Sequence, residues 1–370
     1  MERRTFLKIL SSAGIVSLVS PTFAMEVCKN KVSKSSSALL ESAFRNPPFS
    51  SGVYTWWHWM NGNITKDGIT RDLEAMKANG IAGYQLFEAG SGIPIGPVES
   101  LSDEWVDLIL HTLKESERLG LEFAMHNCPG WSSSGGPWIT PDKAMQIITW
   151  SETKITGGKQ VRIQLPTPKH MFDYYIDTYC LAIPANMKVI PRLSILELSN
   201  RLDKDGVLTW DIPAGEWLIM RFGQTAKDQK NKSAPSKSTG LDCDKFSTEA
   251  LDYHLNCMFK RLMPAMEKIA KHSKIGLLID SYETGDQDWT SDMPAYFEQS
   301  HGYELYPFLP VLANKIVESE ESTKRFLFDF RRVRADMFAE RYYGHFQKRC
   351  KEKGIITYTE PYGGNMMEEL

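Results

Sequence analysis

The 370-residue chain has no CxxC pair, no HExxH, no GxSxG and no cysteine–histidine nucleophile arrangement. Metalloprotease and serine-hydrolase chemistry therefore lack the residue spacings they depend on. No Gly-rich phosphate fingerprint follows the first strand-like run, which removes the main sequence support for a nucleotide-binding open sheet. Excess charge of either sign is also missing: 43 basic against 46 acidic residues leave a net charge of −3. Such a balance carries no electrostatic footprint for nucleic acid or an anionic membrane. The one basic cluster, FDFRRVRADMFAERYYGHFQKRCKEK, alternates with acids and apolar residues at helical spacing and reads as a solvated helix face. No apolar run reaches the roughly 20 residues that span a bilayer.

What is present begins with an address. Arg3 and Arg4 precede a short apolar core, Ile9 to Val19, and small residues reach Ala24. That pattern reads as an export signal over residues 1–24, twin-arginine-like or of the ordinary secretory kind, and places the mature protein in a periplasm or outside the cell, with no membrane span after its removal. Six scattered cysteines then read as mostly buried free thiols, since no spacing names a disulfide pair. Residues 25–45, rich in Ser and Lys, read as a linker or mobile tail.

From residue 46 a strand–helix rhythm sets in. VYTWWHWM, IAGYQLFEAG and LEFAMHNCPG read as strands. Between them lie helices over 65–80 and 102–120, capped by Thr65 and Ser102 and closed by Gly80 and Gly120. Residues 148–240 break the rhythm with strand-like runs and turns and read as an inserted β domain, a sandwich by pattern, leaving through a polar exposed loop, NKSAPSKSTG. The rhythm resumes over 241–370: a helix over 247–274 that Pro264 divides, the strand IGLLIDSYE, the basic helix, and the strand IITYTEPYG. Such repeats predict a parallel sheet, here a (β/α)8-type barrel. Only five strand units are legible over 46–147 and 241–370, so the expectation is an incomplete barrel and a fragment of a longer product.

A barrel carries its chemistry at the carboxyl ends of its strands. Those ends offer Trp56, Trp57, His58, Trp59 and Asn61; Gln85 and Glu88; His126, Asn127 and Trp131; Asp280, Tyr282 and Glu283, with Trp289 close behind; and Glu360 with Tyr362. A rim of carboxylates, amides and indoles with few cations suits an oligo- or polysaccharide, whose C–H faces pack on aromatic rings and whose hydroxyls need polar partners. Glu283 and Glu360, on neighbouring strands, could supply the acid and base of glycoside hydrolysis. Burial beside Tyr282 and Trp289 would favour a protonated Glu283. Structural readings stand beside these: the WWHW run as core, Glu88 as an internal partner, His126 as the lock of the CPG turn. The acids Asp280, Asp286, Asp288 and Asp292 lack an EF-hand spacing and signal calcium only weakly.

Taken together, WWHWMNGNITKDGITRDLEAMKANGIAGYQLFEAG, HNCPGWSSSGGPWITPDKAMQ, GEWLIMRFG, GLDCDKFS, DSYETGDQDWT and EPYGG make the chain, from about residue 44 onward, resemble glycoside hydrolase family 106, the α-L-rhamnosidases. The resemblance implies a barrel interrupted by β domains and exported by bacteria that degrade plant polysaccharides. It implies an inverting enzyme that engages its sugar through calcium, with Glu283 as general acid. Glu360 is implied on the base side, or in placing calcium or water, and the family's apparatus continues beyond residue 370. A non-catalytic glycan-binding barrel and a same-fold glycosidase for another sugar are the competing readings.

Overall fold

A computed structural model describes residues 34–48, 51–131 and 134–360. Lys34–Arg45 forms a helix, α1, where a linker was expected. Residues 1–33, with the expected signal and Cys28, lie outside the described residues, as does Tyr362.

The described residues from Tyr54 to Glu360 make one unit. Its frame is a five-stranded sheet in the order β1 (Val53–Met60), β2 (Ile81–Ala89), β3 (Glu122–His126), β9 (Ile275–Ile279), β10 (Ile356–Thr359). The pairs β2–β3, β3–β9 and β9–β10 run parallel, with Gly276 opposite both Ala124 and Ile356. Parallel neighbours need crossovers, and helices supply them. Helix α2 (Lys66–Ala78) starts where the Thr65 side chain accepts the Gly68 N–H. Helix α3 (Asp103–Leu119) starts at Ser102 and stops at Gly120, whose φ of 67° is the left-handed geometry that glycine adopts without strain. Pro264 divides the next crossover as expected: α4 (Thr248–Phe259) ends, and α5 (Met263–Ile269) carries the proline in its first turn, where no N–H is needed. The sheet is open, with β1 and β10 at its edges, and no closed barrel forms among the described residues.

The interruption is all β apart from short 3-10 turns. Numbering only the longer strands, β4 (Gln146–Thr156), β8 (Glu216–Ala226) and β6 (Ile176–Pro184) pair antiparallel, and β5 (Lys159–Gln164) pairs with β7 (Val207–Ile212) in a separate ribbon. Period-two alternation splits the larger sheet's residues between two cores. Cys180, Ala182 and Ile219 pack with Trp210 and Leu208 of the ribbon, whereas Leu181, Ile183, Met220 and Phe222 belong to the main core. The sheet is thus fastened on one face to the rest of the unit. After β9 come α6 (Met293–His301), then α7 (Glu320–Met337), a π-helical turn over Phe338–Gly344 and α8 (His345–Glu352), which together carry the basic segment. Cys128, Cys180, Cys243 and Cys350 are buried and Cys257 is exposed, all as free thiols. Among the described residues no helix is long and apolar enough to cross a membrane.

Candidate active site

A cleft of about 320 Å³ opens at the carboxyl ends of β1, β2, β3 and β9, lined by Trp56, His58, Phe87, Trp131, Asp280, Ser281 and Glu283. One wall is an aromatic stack. The Phe87 ring lies 5.8 Å from Trp56 at 17° and 5.5 Å from Trp131 at 19°, with His58 edge-on to it at 4.7 Å. Alternation along β1 sends Trp56 and His58 to this wall and Trp57 and Trp59 to the other face. There Trp57 donates Nε1–H to Asp72 of α2 at 3.0 Å, and Trp59 is 1% exposed in the core. Trp57 and Trp59, expected at the ligand, are therefore structural. Phe87 was missed, although the same alternation places it beside Glu88 and across from Trp56.

The opposite wall is acidic. Asp280 follows β9, and its Oδ1 accepts the Ser281 N–H at 2.6 Å. Its Oδ2 stands 3.5 Å from Nδ1 of His126, which is 3% exposed. Burial raises the Asp280 pKa to about 6; the Ser281 N–H opposes the shift, while the charges of Glu360 and Glu283 add to it. His126 is pushed the other way by burial, to about 3, so it is neutral at physiological pH. Glu283 accepts the Ser281 hydroxyl at 3.1 Å and has Lys232 Nζ at 3.8 Å. Its side chain is 38% exposed, so the expected burial is not observed. Tyr282 and Trp289 are themselves interior: Tyr282 packs edge-on against Phe338 and donates to the Gly285 carbonyl at 2.7 Å, and Trp289 N–H reaches the Gln146 carbonyl. They brace the acidic loop from behind. Glu360, half-buried, is fixed by its own N–H to the Ile279 carbonyl at 3.0 Å.

The remaining expected site residues serve the scaffold. Asn61 turns the chain at φ 50° and donates its side-chain amide to the Ile93 carbonyl at 2.7 Å. Glu88 is buried against Ser100 at 2.8 Å, and burial raises its pKa to about 7. Asn127 ties strand ends together, donating to the Leu278 carbonyl at 2.9 Å and accepting from Ser134 at 2.6 Å.

Two supports were not legible. The segment expected as a free polar loop is docked: Asn231 is buried and donates to the Pro129 carbonyl at 2.9 Å, Trp131 N–H bonds the Lys232 carbonyl, and Gly90 N–H bonds that of Ser233. This docking brings Lys232 to Glu283. Behind the acidic loop, GLDCDKFS interlocks with DSYETGDQDWT. Lys245 N–H bonds Gln287 at 3.0 Å, and Asp244 accepts from Thr290 at 2.7 Å and from Gln287. The Lys245 ammonium is fully buried and paired with Asp242 at 2.7 Å. A buried charge is tolerated only when paired and hydrogen-bonded, and the Ser134 and Cys243 carbonyls complete its shell.

Calcium takes six to eight oxygen ligands. Among the described residues no group of three or more His, Cys, Asp or Glu side chains converges to hold a metal. Asp288 accepts the Ile148 N–H and Asp292 pairs with Arg341, so the acids of this region are dispersed. The described residues do not fit the ion, and no step below passes through it.

A family model described as alpha-L-rhamnosidase matches residues 45–179 and 169–369. A curated protein of Formosa agariphila, provisionally named beta-glucuronidase, is 41% identical over 356 residues, covering 88% of this chain and 31% of that protein. A rhamnosidase structure from Novosphingobium sp. PP1Y has a TM-score of 0.80 at 24% identity, covering 89% of this chain and 48% of that one, a likeness of fold. The chain thus spans less than half the length of either protein.

Proposed function

The chain belongs to the alpha-L-rhamnosidase family of glycoside hydrolases, and on that premise we propose that it carries the acid side of an α-L-rhamnosidase site acting on terminal rhamnosyl linkages by inversion. The observation that supports this most is the pairing of an aromatic wall, Trp56–Phe87–Trp131, with the carboxyl groups Asp280 and Glu283 across one cleft. In this reading the rings take the C–H face of the sugar, and Glu283 gives its proton to the glycosidic oxygen as the bond breaks. Lys232, 3.8 Å away, then stabilises the carboxylate left behind. Glu360 stands on the base side, where it would take a proton from the attacking water. Inversion requires the two carboxyl groups roughly 6.5–9.5 Å apart, with water between base and sugar. Asp280, whose pKa burial raises to about 6, changes charge beside both glutamates and so alters the field they feel.

In the same reading the five-stranded sheet is part of a (β/α)8 barrel, and the protein is exported. The name of the Formosa relative offers glucuronides as the other substrate class. A glucuronate carboxylate calls for Arg or Lys in the sugar pocket, and the cation at the cleft, Lys232, faces Glu283 at 3.8 Å. The test is a substrate panel on the full-length protein: an aryl α-L-rhamnoside should be cleaved with release of β-rhamnose as the first product, and an aryl β-glucuronide should not. The opposite preference would replace the rhamnosidase reading, and α-rhamnose as first product would replace inversion.

A further inference from the structure

Past Glu283 the acidic loop runs along one corner of the β interruption and is fastened there at three points. Lys227, which follows β8, donates its ammonium to the Asp286 carbonyl at 2.6 Å. Asp288 accepts the Ile148 N–H through Oδ1 at 2.9 Å. Trp289 bridges antiparallel to Gln146, the first residue of β4, with its N–H on the Gln146 carbonyl at 3.3 Å. Gln146 and Ala226 stand opposite each other in the β4–β8 pair, so all three holds come from adjoining strand ends. β4 is an edge strand of its sheet, and an edge presents backbone N–H groups that need partners. At Ile148 the Asp288 carboxyl takes the place of a neighbouring strand.

That fastening reaches Glu283 through a short, closed piece of chain. Gly285 turns at φ 71°, and the buried Tyr282 closes residues 282–285 by donating its hydroxyl to the Gly285 carbonyl at 2.7 Å. Where the corner sets Asp286, the closed turn carries that setting on to Glu283. The Glu283 side chain is itself held lightly: it is 38% exposed, with the Ser281 hydroxyl at 3.1 Å and Lys232 at 3.8 Å. Exposed ion pairs of that kind fix geometry weakly. A reacting group misplaced by about 1 Å can lose about 10²-fold in rate, so the backbone beneath Glu283 has to be held from elsewhere.

We infer that Asp288 is a positioning residue for Glu283, and that the corner of the β interruption on which it docks is the clamp of the acid-bearing loop. The kinetic arm of the test rests on Glu283 as general acid, and the exchange arm stands apart from turnover. In the full-length protein, Asp288→Ala should speed amide hydrogen exchange over residues 281–290 at least about tenfold, read by mass spectrometry, whereas Asp288→Asn, which keeps the acceptor oxygen, should stay within about twofold of wild type. On an alkyl α-L-rhamnoside Asp288→Ala should lower kcat about 10–10²-fold with KM unchanged. On a dinitrophenyl α-L-rhamnoside, whose leaving group needs no proton, its loss should stay below about threefold. Asp288→Asn should restore the alkyl activity. Lys227→Met withdraws the hold on Asp286 from the half-buried side of the same corner, should act in the same direction on both readouts, and serves where Asp288→Ala is too unstable to purify. Wild-type exchange in both Asp288→Ala and Lys227→Met overturns the inference, as does an Asp288→Asn variant as impaired as Asp288→Ala, or an equal loss on the two substrates while Glu283→Gln separates them. If the exchange effect and its rescue by Asn appear while Glu283→Gln shows no dependence on the leaving group, the clamp stands and the general-acid reading fails.

Discussion

Trp56 and Trp57 are adjacent and chemically identical, yet they have opposite fates. Trp56 is 43% exposed on the cleft wall, whereas Trp57 is buried and bonded to Asp72. The alternation was legible in VYTWWHWM, but indoles stand on both of its faces, so the pattern could not say which face meets ligand. Trp57→Ala should cost about 3–5 kcal/mol of stability, the range for emptying a large buried site, measured by urea unfolding. Trp56→Ala should leave stability within about 1 kcal/mol and raise KM instead. His254 offers a second test at this scale. It is buried, accepts from Trp138 Nε1 at 3.2 Å and bonds the Asn127 carbonyl at 3.0 Å, and burial lowers its pKa to about 3. The unfolded chain takes up a proton below about pH 6.5 that the folded one refuses until about pH 3, so this residue's contribution falls as pH falls through that window. Between pH 7 and pH 5 the wild type should lose about 2 kcal/mol more stability than His254→Gln, compared by unfolding at both pH values. Equal losses would contradict the buried, neutral assignment.

Helices and strands were the most legible elements, because caps and punctuation are local. Thr65, Ser102, Gly120 and Pro264 each act where the sequence places them. The loop NKSAPSKSTG was not legible, because polarity alone does not distinguish a solvated loop from one whose side chains replace water at buried backbone groups. Asn231 does the latter, using its amide on the Pro129 and Ser238 carbonyls and its oxygen on the Gly240 N–H. The docking depends on Gly130, whose φ is +81° and whose position leaves no room for a side chain: a Cβ there would stand 2.0 Å from the Lys232 carbonyl. Gly130→Ala should therefore cost more than about 1 kcal/mol from the left-handed backbone alone. By displacing Lys232 from Glu283, it should also lower kcat/KM at temperatures where the variant is still folded. Wild-type turnover in a folded Gly130→Ala protein would show that the docked segment is irrelevant to the site.

At the scale of the molecule, the parallel order β1-β2-β3-β9-β10 holds the five acidic and aromatic strand ends together, across an interruption of about a hundred residues in the chain. That grouping was legible from the repeat of strand and helix, since a parallel sheet puts its carboxyl ends on one side. The role of the β interruption was not, because its larger sheet divides its two faces between a small core and the main one, and only the fold reveals that sharing. The central claim is that this side of the sheet delivers a proton to a leaving sugar from Glu283. It is tested most directly by comparing kcat/KM of wild type and Glu283→Gln on two rhamnosides that differ only in how much their leaving group needs that proton. On an alkyl α-L-rhamnoside the variant should lose about 10²–10⁴-fold, the usual worth of general acid catalysis, and on a dinitrophenyl α-L-rhamnoside less than about tenfold. Equal losses on both substrates, or a loss below about tenfold on the alkyl one, would contradict the assignment.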